Sequence, residues 1–283
     1  MVDAGASVAA VLAAGAERLA GAGVSHPVRE ARWIWQSVAG GDALALAMQV
    51  SECAPSPLAL RFEEAIERRA AGEPLAYVTG SAAFRHLTVR SDRRALIPRP
   101  ETEGLVDVAL QCVRSGIAAD IGTGTGVIAL ALATEGEFDA VYGVDLSREA
   151  LTLAAENGRV TGADVTWLTG DLVAPLGGIR CDLLVSNPPY VTVAEYQRLD
   201  PSVRNHEPAM ALVGGDDGLA IIRRLLDEGH RAVAPGGWVV LEIDERRADA
   251  TRRLAVESGW NSAAVHDDMF GRPRYLSAQR GGE

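Results

Sequence analysis

The sequence predicts an α/β protein: a seven-stranded, mostly parallel sheet preceded by a helical bundle and a connecting β-hairpin. Two observations predict it. From residue 101 onward, short apolar runs alternate with stretches of helical periodicity, the pattern of a parallel sheet covered on both faces. Before residue 75 the periodicity is helical only, and Gly or Pro clusters break it into segments.

The bundle comes first. Val8, Val11, Leu12 and Leu19 recur at helical spacing, as do Ala31, Ile34, Trp35 and Val38, and then Leu58, Phe62, Ala65 and Ile66. Breaks fall at Gly21-Ala22-Gly23, Gly40-Gly41 and Pro55-Ser56-Pro57. Gly72-Glu73-Pro74 ends the bundle, so residues 1–74 read as one unit. Residues 75–98 read as a hairpin connector: Phe84, Leu87 and Val89 on one strand, Leu96 and Ile97 on the other, and Ser91-Asp92-Arg93-Arg94 as the turn. Residues 99–283 hold the alternating pattern. Helices are expected at 101–114, 125–134, 147–160, 217–233 and 245–258, and strands at 117–121, 140–144, 164–168, 182–186, 237–243, 262–266 and 273–279.

Composition narrows the function classes. A chain of 283 residues with 48% hydrophobic and 23% charged residues supports a sizeable core. Its net charge of −11 argues against a stable grip on nucleic acid, which needs a basic face. All 27 basic residues are arginine, which excludes lysine Schiff-base chemistry and the lysine-dependent phosphate loop. Cys53, Cys112 and Cys181 form no CxxC pair, and the five histidines are scattered, so no metal site is expected. The alanine-rich start is broken by Asp3, Glu17 and Arg18 and reads as an amphipathic helix, not a signal peptide. No run approaches the roughly 20 apolar residues that span a bilayer. A cytoplasmic protein without a membrane partner is expected.

The first chemical motif is Asp120-Ile121-Gly122-Thr123-Gly124-Thr125-Gly126, between an apolar strand and the helical run Val127-Ile128-Ala129-Leu130. Glycines let the backbone turn sharply and approach a ligand, and the helix start offers free N–H groups. Asp145 ends the next strand, about 20 residues further on, where an acid can accept both hydroxyls of a ribose. An N-cap role is the alternative for Asp145, but Ser147 is better placed for it. Gly170-Asp171-Leu172 follows the third strand; Asp171 can accept from the exocyclic amine of adenine with Leu172 against the ring, or serve as a plain turn residue. These features fit an adenosyl ligand. Their GxGxG spacing suits a ligand without pyrophosphate better than the GxGxxG of dinucleotide sites.

Asn187-Pro188-Pro189-Tyr190 then selects the chemistry. It follows the apolar strand Asp182–Ser186, at the edge where open sheets bind ligands. Two prolines fix two φ angles and remove two backbone donors. The stiff turn that remains offers carbonyl oxygens, a carboxamide and an aromatic ring, which suits a planar NH2 group. A nucleoside cofactor beside such a pocket points to S-adenosylmethionine and N-methylation.

On these residues the chain resembles the bacterial peptide chain release factor N5-glutamine methyltransferases. The likeness runs through Gly72-Glu73-Pro74-Leu75 with Thr79-Gly80, Leu96-Ile97-Pro98-Arg99-Pro100-Glu101-Thr102-Glu103, the Gly122–Gly126 loop, Asn187–Tyr190, His206-Glu207-Pro208, Ala211–Gly215 with Asp217-Gly218-Leu219, and Gly271–Arg274. The resemblance implies a Rossmann-like methyltransferase domain over 99–283, a docking role for 1–74, and S-adenosyl-L-methionine as cofactor. It implies that Gly122, Thr123, Gly124, Thr125, Gly126, Asp145, Asp171, Leu172 and Asn187 line the cofactor site. Asn187, Pro188, Pro189 and Tyr190 would hold the substrate, with Asn187, Pro188 and Tyr190 catalytic. That substrate is the glutamine of the Gly-Gly-Gln tip of class I release factors, modified in translation termination. A ribosomal-protein glutamine methyltransferase is the alternative, and an adenine N6 DNA methyltransferase, which shares Asn-Pro-Pro-Tyr, a weaker one.

One departure from the family pattern is Asp244-Glu245-Arg246-Arg247 after the strand ending Leu241-Glu242, where many relatives carry glycine and glutamine. Arg99, Glu101 and Glu103 either shape the pocket entrance or serve the helix start. His206-Glu207 either orders the loop after the turn or makes an ordinary salt bridge. Trp33 and Trp35 lie two apart on a helix and face different sides, one core and the other a candidate partner contact.

Overall fold

A computed structural model describes residues 6–282. It divides into two compact units: the chain up to Ser81 together with Pro201–His206, and Ala82–Asp200 together with the chain from Glu207 onward.

The first unit contains α1 (Val8–Gly21), α2 (Pro27–Ala39), α3 (Ala43–Gln49), α4 (Ser56–Ala70) and α5 (Leu75–Thr79). Ser7 caps α1 by accepting from the Ala10 N–H, and α2 opens on Pro27 and stops at Gly40 in the left-handed region. The periodic residues of α1, α2 and α4 form one apolar core. At its centre Trp35 meets Phe62 edge-on, centroids 5.4 Å apart. Gly15 lets α4 approach, since a Cβ there would stand 2.7 Å from the Phe62 ring. α3, capped by Asp42, has no counterpart in the sequence reading: seven residues with Leu46 alone buried leave too little periodic signal.

The connector departs from expectation. Its strands are β1 (Ser81–Phe84) and β2 (Leu87–Arg90), joined at Arg85-His86 rather than at Ser91–Arg94. Phe84, Leu87 and Val89 all face the core. Arg85 takes a left-handed φ of 53°, and tertiary contacts hold it there: its N–H donates to the Glu103 carboxylate at 2.9 Å and its guanidinium grips Glu135 at 2.6 Å. No glycine marks this turn, so turn chemistry alone pointed elsewhere. Leu96 and Ile97 lie in irregular chain, and Leu75–Thr79 is helical.

The second unit carries a seven-stranded sheet of β3 (Ser115–Ile121), β4 (Glu137–Asp145), β5 (Thr166–Thr169), β6 (Cys181–Ser186), β7 (Val233–Glu242), β8 (Trp260–Asp267) and β9 (Pro273–Arg280). The strand order is β5-β4-β3-β6-β7-β9-β8. Pairing is parallel from β5 across to β7, and only β9 runs against the rest. All seven strands lie where the apolar runs predict them. Helices α6 (Pro100–Cys112), α7 (Val127–Glu135), α8 (Arg148–Thr161), α11 (Ala220–Ala232) and α12 (Ala248–Glu257) make the five expected crossover and flanking segments, while the short α9 (Val193–Tyr196), and α10 (Pro201–His206) of the first unit, were not foreseen. Two apolar layers sandwich the sheet: one around Leu105, Leu130 and Val185, the other around Ile121, Leu184, Leu225 and Leu241. No helix among the described residues is long and apolar enough to cross a membrane.

The chain runs outward from β3 to β4 and β5, then crosses back to β6 and β7 on the other side. That reversal opens a crevice at the carboxyl ends of β3 and β6, the place where open sheets bind ligands.

Candidate active site

Five carboxyl ends converge there. Ile121 of β3 lies beside Val144 of β4, and Ser186 of β6 lies beside Leu241 of β7. The Ser186 hydroxyl donates to the Ile121 carbonyl at 2.6 Å and ties the two halves together. Above these ends is a cavity of about 320 Å3. Gly122, Thr123, Gly124, Thr125, Asp145, Asp171, Leu172, Asn187 and Pro189 all line it. One cavity therefore spans the glycine turn and the Asn-Pro-Pro-Tyr turn.

The glycine turn is shaped by its own backbone and tied to the end of β4. Gly122, Gly124 and Gly126 take φ of 74°, 55° and 86°, values that cost any other L-residue about 1–2 kcal/mol. The N–H groups of Gly122 and Thr123 share the Val144 carbonyl at 2.8 and 2.9 Å, and Gly126 N–H closes on Thr123 at 2.8 Å. Open space stands where a Gly122 Cβ would be, so the backbone is bare toward a ligand. Gly126 is different. It is not a wall residue; a Cβ there would stand 2.9 Å from Trp167 and 3.0 Å from Ala154. Its absence of side chain serves packing beneath α7, a correction to its expected place among the cofactor-lining residues.

Asp120 supports the turn from below. Its Oδ2 accepts from the Thr123 hydroxyl at 2.6 Å and the Ala129 N–H at 3.2 Å, while its Oδ1 is buried with no partner. Burial pushes this carboxyl up to about 7, with the nearby Asp145 charge adding to the rise. Asn157, fully buried, binds the Thr125 carbonyl at 2.9 Å and both backbone groups of Arg90 at 2.8 and 3.1 Å. The hairpin is thereby fastened to the turn.

Asp145 is engaged on both oxygens: Oδ2 accepts from Gly124 N–H at 2.9 Å and Oδ1 from Ser147 N–H at 2.8 Å. Ser147 caps α8, its hydroxyl accepting from Ala150 N–H at 3.2 Å. The Asp145 carboxylate has acceptor capacity beyond these bonds, which is what a ribose hydroxyl requires. Burial holds the Asp145 carboxyl above its ordinary range. Leu172 sits in the cavity wall with a left-handed φ of 46°. Asp171 also lines the cavity, but Arg224 of α11 engages its carboxylate at 2.9 Å. The bare Gly122 backbone, the double acceptor at Asp145 and the apolar Leu172 together fit S-adenosylmethionine.

The second turn is anchored by remote residues. Asn187 Nδ2 donates to Thr102 Oγ1 at 3.0 Å, and Thr102 Oγ1 in turn donates to Glu242 Oε2 at 2.7 Å. Tyr190 O–H donates to the other oxygen, Glu242 Oε1, at 3.1 Å. Glu242 is only 2% exposed; burial pushes its carboxyl up, against the two hydroxyl donors. Burial likewise raises the Tyr190 phenol. Pro188 is buried and Tyr190 packs into the second apolar layer, so neither forms part of the cavity wall. Gly214 and Gly218 press on the Pro189 and Tyr190 carbonyls where any side chain would collide, and Gly214 N–H donates to the Val191 carbonyl at 2.9 Å. The Gly214-Gly215 and Asp217-Gly218 segments thus back the turn.

Sequence reasoning passed over Glu242 and left Glu207 between ordering the loop and an ordinary salt bridge; the structure gives it an ion pair with Arg99. Glu207, 5% exposed, accepts from Ile97 N–H at 3.0 Å and from Arg99 Nη2 at 2.6 Å. It pins the segment that brings Arg99 and Thr102 to the cavity. Arg99 lines the cavity, the Glu103 carboxylate serves the hairpin turn, and the Glu101 carbonyl accepts from Tyr275 O–H. The departure segment forms an ion-pair cluster: Asp244 holds Arg246 at 2.6 Å and Arg247 at 2.9 Å, and Arg247 reaches Glu195 of α9 at 2.9 Å.

Comparison with known proteins agrees with this geometry. Residues 10–80 match the family described as PrmC N-terminal domain, and residues 102–200 match the methyltransferase small domain. The release factor glutamine methyltransferase of Deinococcus radiodurans is 41% identical over 94% of this chain and 95% of its own. That of Moorella thermoacetica is 42% identical over 93% of this chain and 95% of its own. Among solved structures, a methyltransferase from Pyrococcus furiosus shares the fold with a TM-score of 0.53 at 21% identity, covering 68% of this chain and 88% of its own. A seven-stranded methyltransferase sheet, a cavity joining the two turns, and relatives above 40% identity over nearly the full length give one conclusion: the chain belongs to the release factor glutamine methyltransferase family.

Proposed function

We propose that this protein transfers a methyl group from S-adenosylmethionine to N5 of the glutamine in the Gly-Gly-Gln tip of class I peptide chain release factors. The observation that carries this reading is the single cavity walled on one side by Gly122–Thr125 and Asp145 and on the other by Asn187 and Pro189. The partner places the work in the cytoplasm, where translation ends.

S-adenosylmethionine, when bound, supplies a methyl group on a positively charged sulfur. The protein's own task is to present an amide nitrogen, a weak nucleophile because its lone pair is shared with the carbonyl. Asn187, which lines the cavity, accepts one amide hydrogen at Oδ1 and aims the nitrogen, and the main chain of the proline turn, where Pro189 forms the wall, takes the other. Alignment of this kind supplies about 7–11 kcal/mol of a barrier. The same carbonyl dipoles favour positive charge growing on nitrogen. As the N–C bond forms and the sulfonium S–C bond breaks, the nitrogen would carry the methyl, both hydrogens and a positive charge; in that state it is far more acidic than the amide and would release one proton to water, so no strong base is needed. Tyr190, held by Glu242, stiffens the turn from the core side. The helices of residues 1–74 are assigned the docking of the release factor, with exposed Trp33 as a contact.

The deciding experiment incubates the protein and labelled cofactor separately with a class I release factor, glutamine-bearing ribosomal proteins and adenine-containing DNA. One added methyl on the tip glutamine, located by mass spectrometry, is the expected result. Label on ribosomal protein or DNA alone refutes the assignment.

A further inference from the structure

We infer that Glu242 and Thr102 are positioning residues that set which end of the Asn187 carboxamide is offered to the substrate. The inference rests on the proposed function for its consequence in catalysis, but its physical content is a hydrogen-bond direction.

The argument is one of counting hydrogens. The Thr102 hydroxyl has one hydrogen and two lone pairs. Glu242 Oε2, 2.7 Å away, is an acceptor, so the hydrogen goes there. Toward Asn187 the hydroxyl then has only lone pairs to offer. The NH2 end of Asn187 must face it, at the observed 3.0 Å. Turning the amide over would set two acceptors against each other. Oδ1 is consequently left as the free acceptor end, on a residue that lines the cavity. A carboxamide of the opposite orientation would present donors to a substrate NH2, which has donors of its own.

Glu242 does this for two residues at once. Its other oxygen takes the Tyr190 hydroxyl at 3.1 Å. Both ends of the Asn-Pro-Pro-Tyr turn therefore answer to one buried carboxylate at the end of β7. An amide in its place can accept from one hydroxyl but offers hydrogens to the other. The Thr102 or the Tyr190 hydroxyl must then reverse.

The experiment compares T102V, T102S and E242Q with the wild-type protein. Valine keeps the β-branched shape of threonine and loses the hydroxyl; serine keeps the hydroxyl and loses the methyl. If Thr102 merely packs, T102V resembles wild type and T102S suffers. If it positions Asn187, T102V loses on the order of 10²-fold in kcat for release factor methylation, the scale of a misplaced reacting group. T102S then recovers most of the loss, and E242Q falls with T102V. KM for the cofactor stays near wild type in T102V, and the fall in melting temperature from the orphaned Glu242 oxygen is restored in T102S. An activity-independent readout accompanies this: the side-chain NH2 signals of Asn187 in 15N-labelled protein. They are expected to coincide in wild type and T102S and to shift in T102V and E242Q. Unchanged Asn187 signals in T102V, or T102V turning over as fast as T102S, overturn the inference. A wild-type protein that methylates no release factor but shows the expected signal pattern sinks the functional assignment and leaves the hydrogen-bond direction standing.

Discussion

The turn after β3 and the turn after β6 border the same cavity, yet they are held in different ways. The glycine turn is held mostly by its own strand and the adjoining one: Asp120 braces Thr123 three residues on, Gly126 closes on Thr123, and Gly122, Thr123 and Gly124 bond to Val144 and Asp145 at the end of β4. The Asn-Pro-Pro-Tyr turn is remote: Asn187 depends on Thr102, 85 residues earlier, and Tyr190 on Glu242, 52 residues later. The first turn exposes backbone to a small cofactor. The second must aim a side chain at a protein substrate, and side-chain aim needs partners from other elements. The difference teaches that a cofactor site can be carried by the turns after neighbouring parallel strands, whereas a substrate site draws partners from across the assembled sheet edge.

Five substitutions inside the second unit and one outside it test the contrast. The largest effect is expected from Asn187→Ala, which removes the aimed acceptor. Loss of one such group lowers kcat by about 10²–10³-fold, while binding of the demethylated cofactor product, measured by calorimetry, weakens much less. Comparable turnover by the variant in a labelled-methyl assay breaks the contrast outright.

Asp120→Asn acts next, and with a pH signature. The unfolded carboxyl titrates near 3.8 and the folded one at about 7. Between those values the native state holds more protons than the unfolded state, so stability falls as pH rises through the window. Each unit is worth about 1.4 kcal/mol at most. Asparagine removes that loss, so chemical denaturation should show D120N more stable than wild type at pH 8 and no more stable at pH 3.5. Equal stability of the two at pH 8 shows that the brace carries no buried charge.

The glycines separate packing from ligand approach. Gly126→Ala drives a Cβ into Trp167 and Ala154 at a positive φ, and is expected to lower unfolding stability by about 2–3 kcal/mol. Gly122→Ala meets open space, so it loses only about 1–2 kcal/mol of stability, and its damage falls on cofactor affinity. Reversal of that pattern would falsify the division of labour within the loop. Glu207→Gln weakens the grip on Arg99 and Ile97 by about 1–2 kcal/mol. It should raise KM for the release factor several-fold, because the Arg99–Thr102 segment loosens. The smallest effect is expected from Trp33→Ala in the first unit. Trp33 is exposed with Arg29 stacked 4.9 Å over its ring. A rise in KM for the release factor of about fivefold, at unchanged kcat and stability, matches an interface aromatic; no change in KM removes it from the docking surface.

Much of this was legible in the chain. The runs that became β3, β6 and β7 stand out because a strand buried on both faces is a continuous apolar segment, whereas the edge strands β5 and β8 are largely exposed. Gly122–Thr125, Asp145 and Asn187 converge because each follows a parallel strand, and parallel strands end on one edge. The hairpin turn was misplaced because Arg85 is held in its left-handed conformation by Glu103 and Glu135, contacts that leave no glycine signature. Gly126 was assigned to the ligand because every glycine in the loop shares the same φ preference, and only the neighbouring Trp167 distinguishes it.

The sequence by itself determined the element order, the glycine turn, the proline-stiffened turn and the family to which both point, since these depend on residues adjacent along the chain. Tertiary structure alone decided that Glu242 joins Thr102 to Tyr190 and that Glu207 holds Arg99. A buried carboxylate takes whichever donors the fold brings within 3 Å or so, and nothing in the spacing of residues 102, 190, 207 and 242 announces that they will meet.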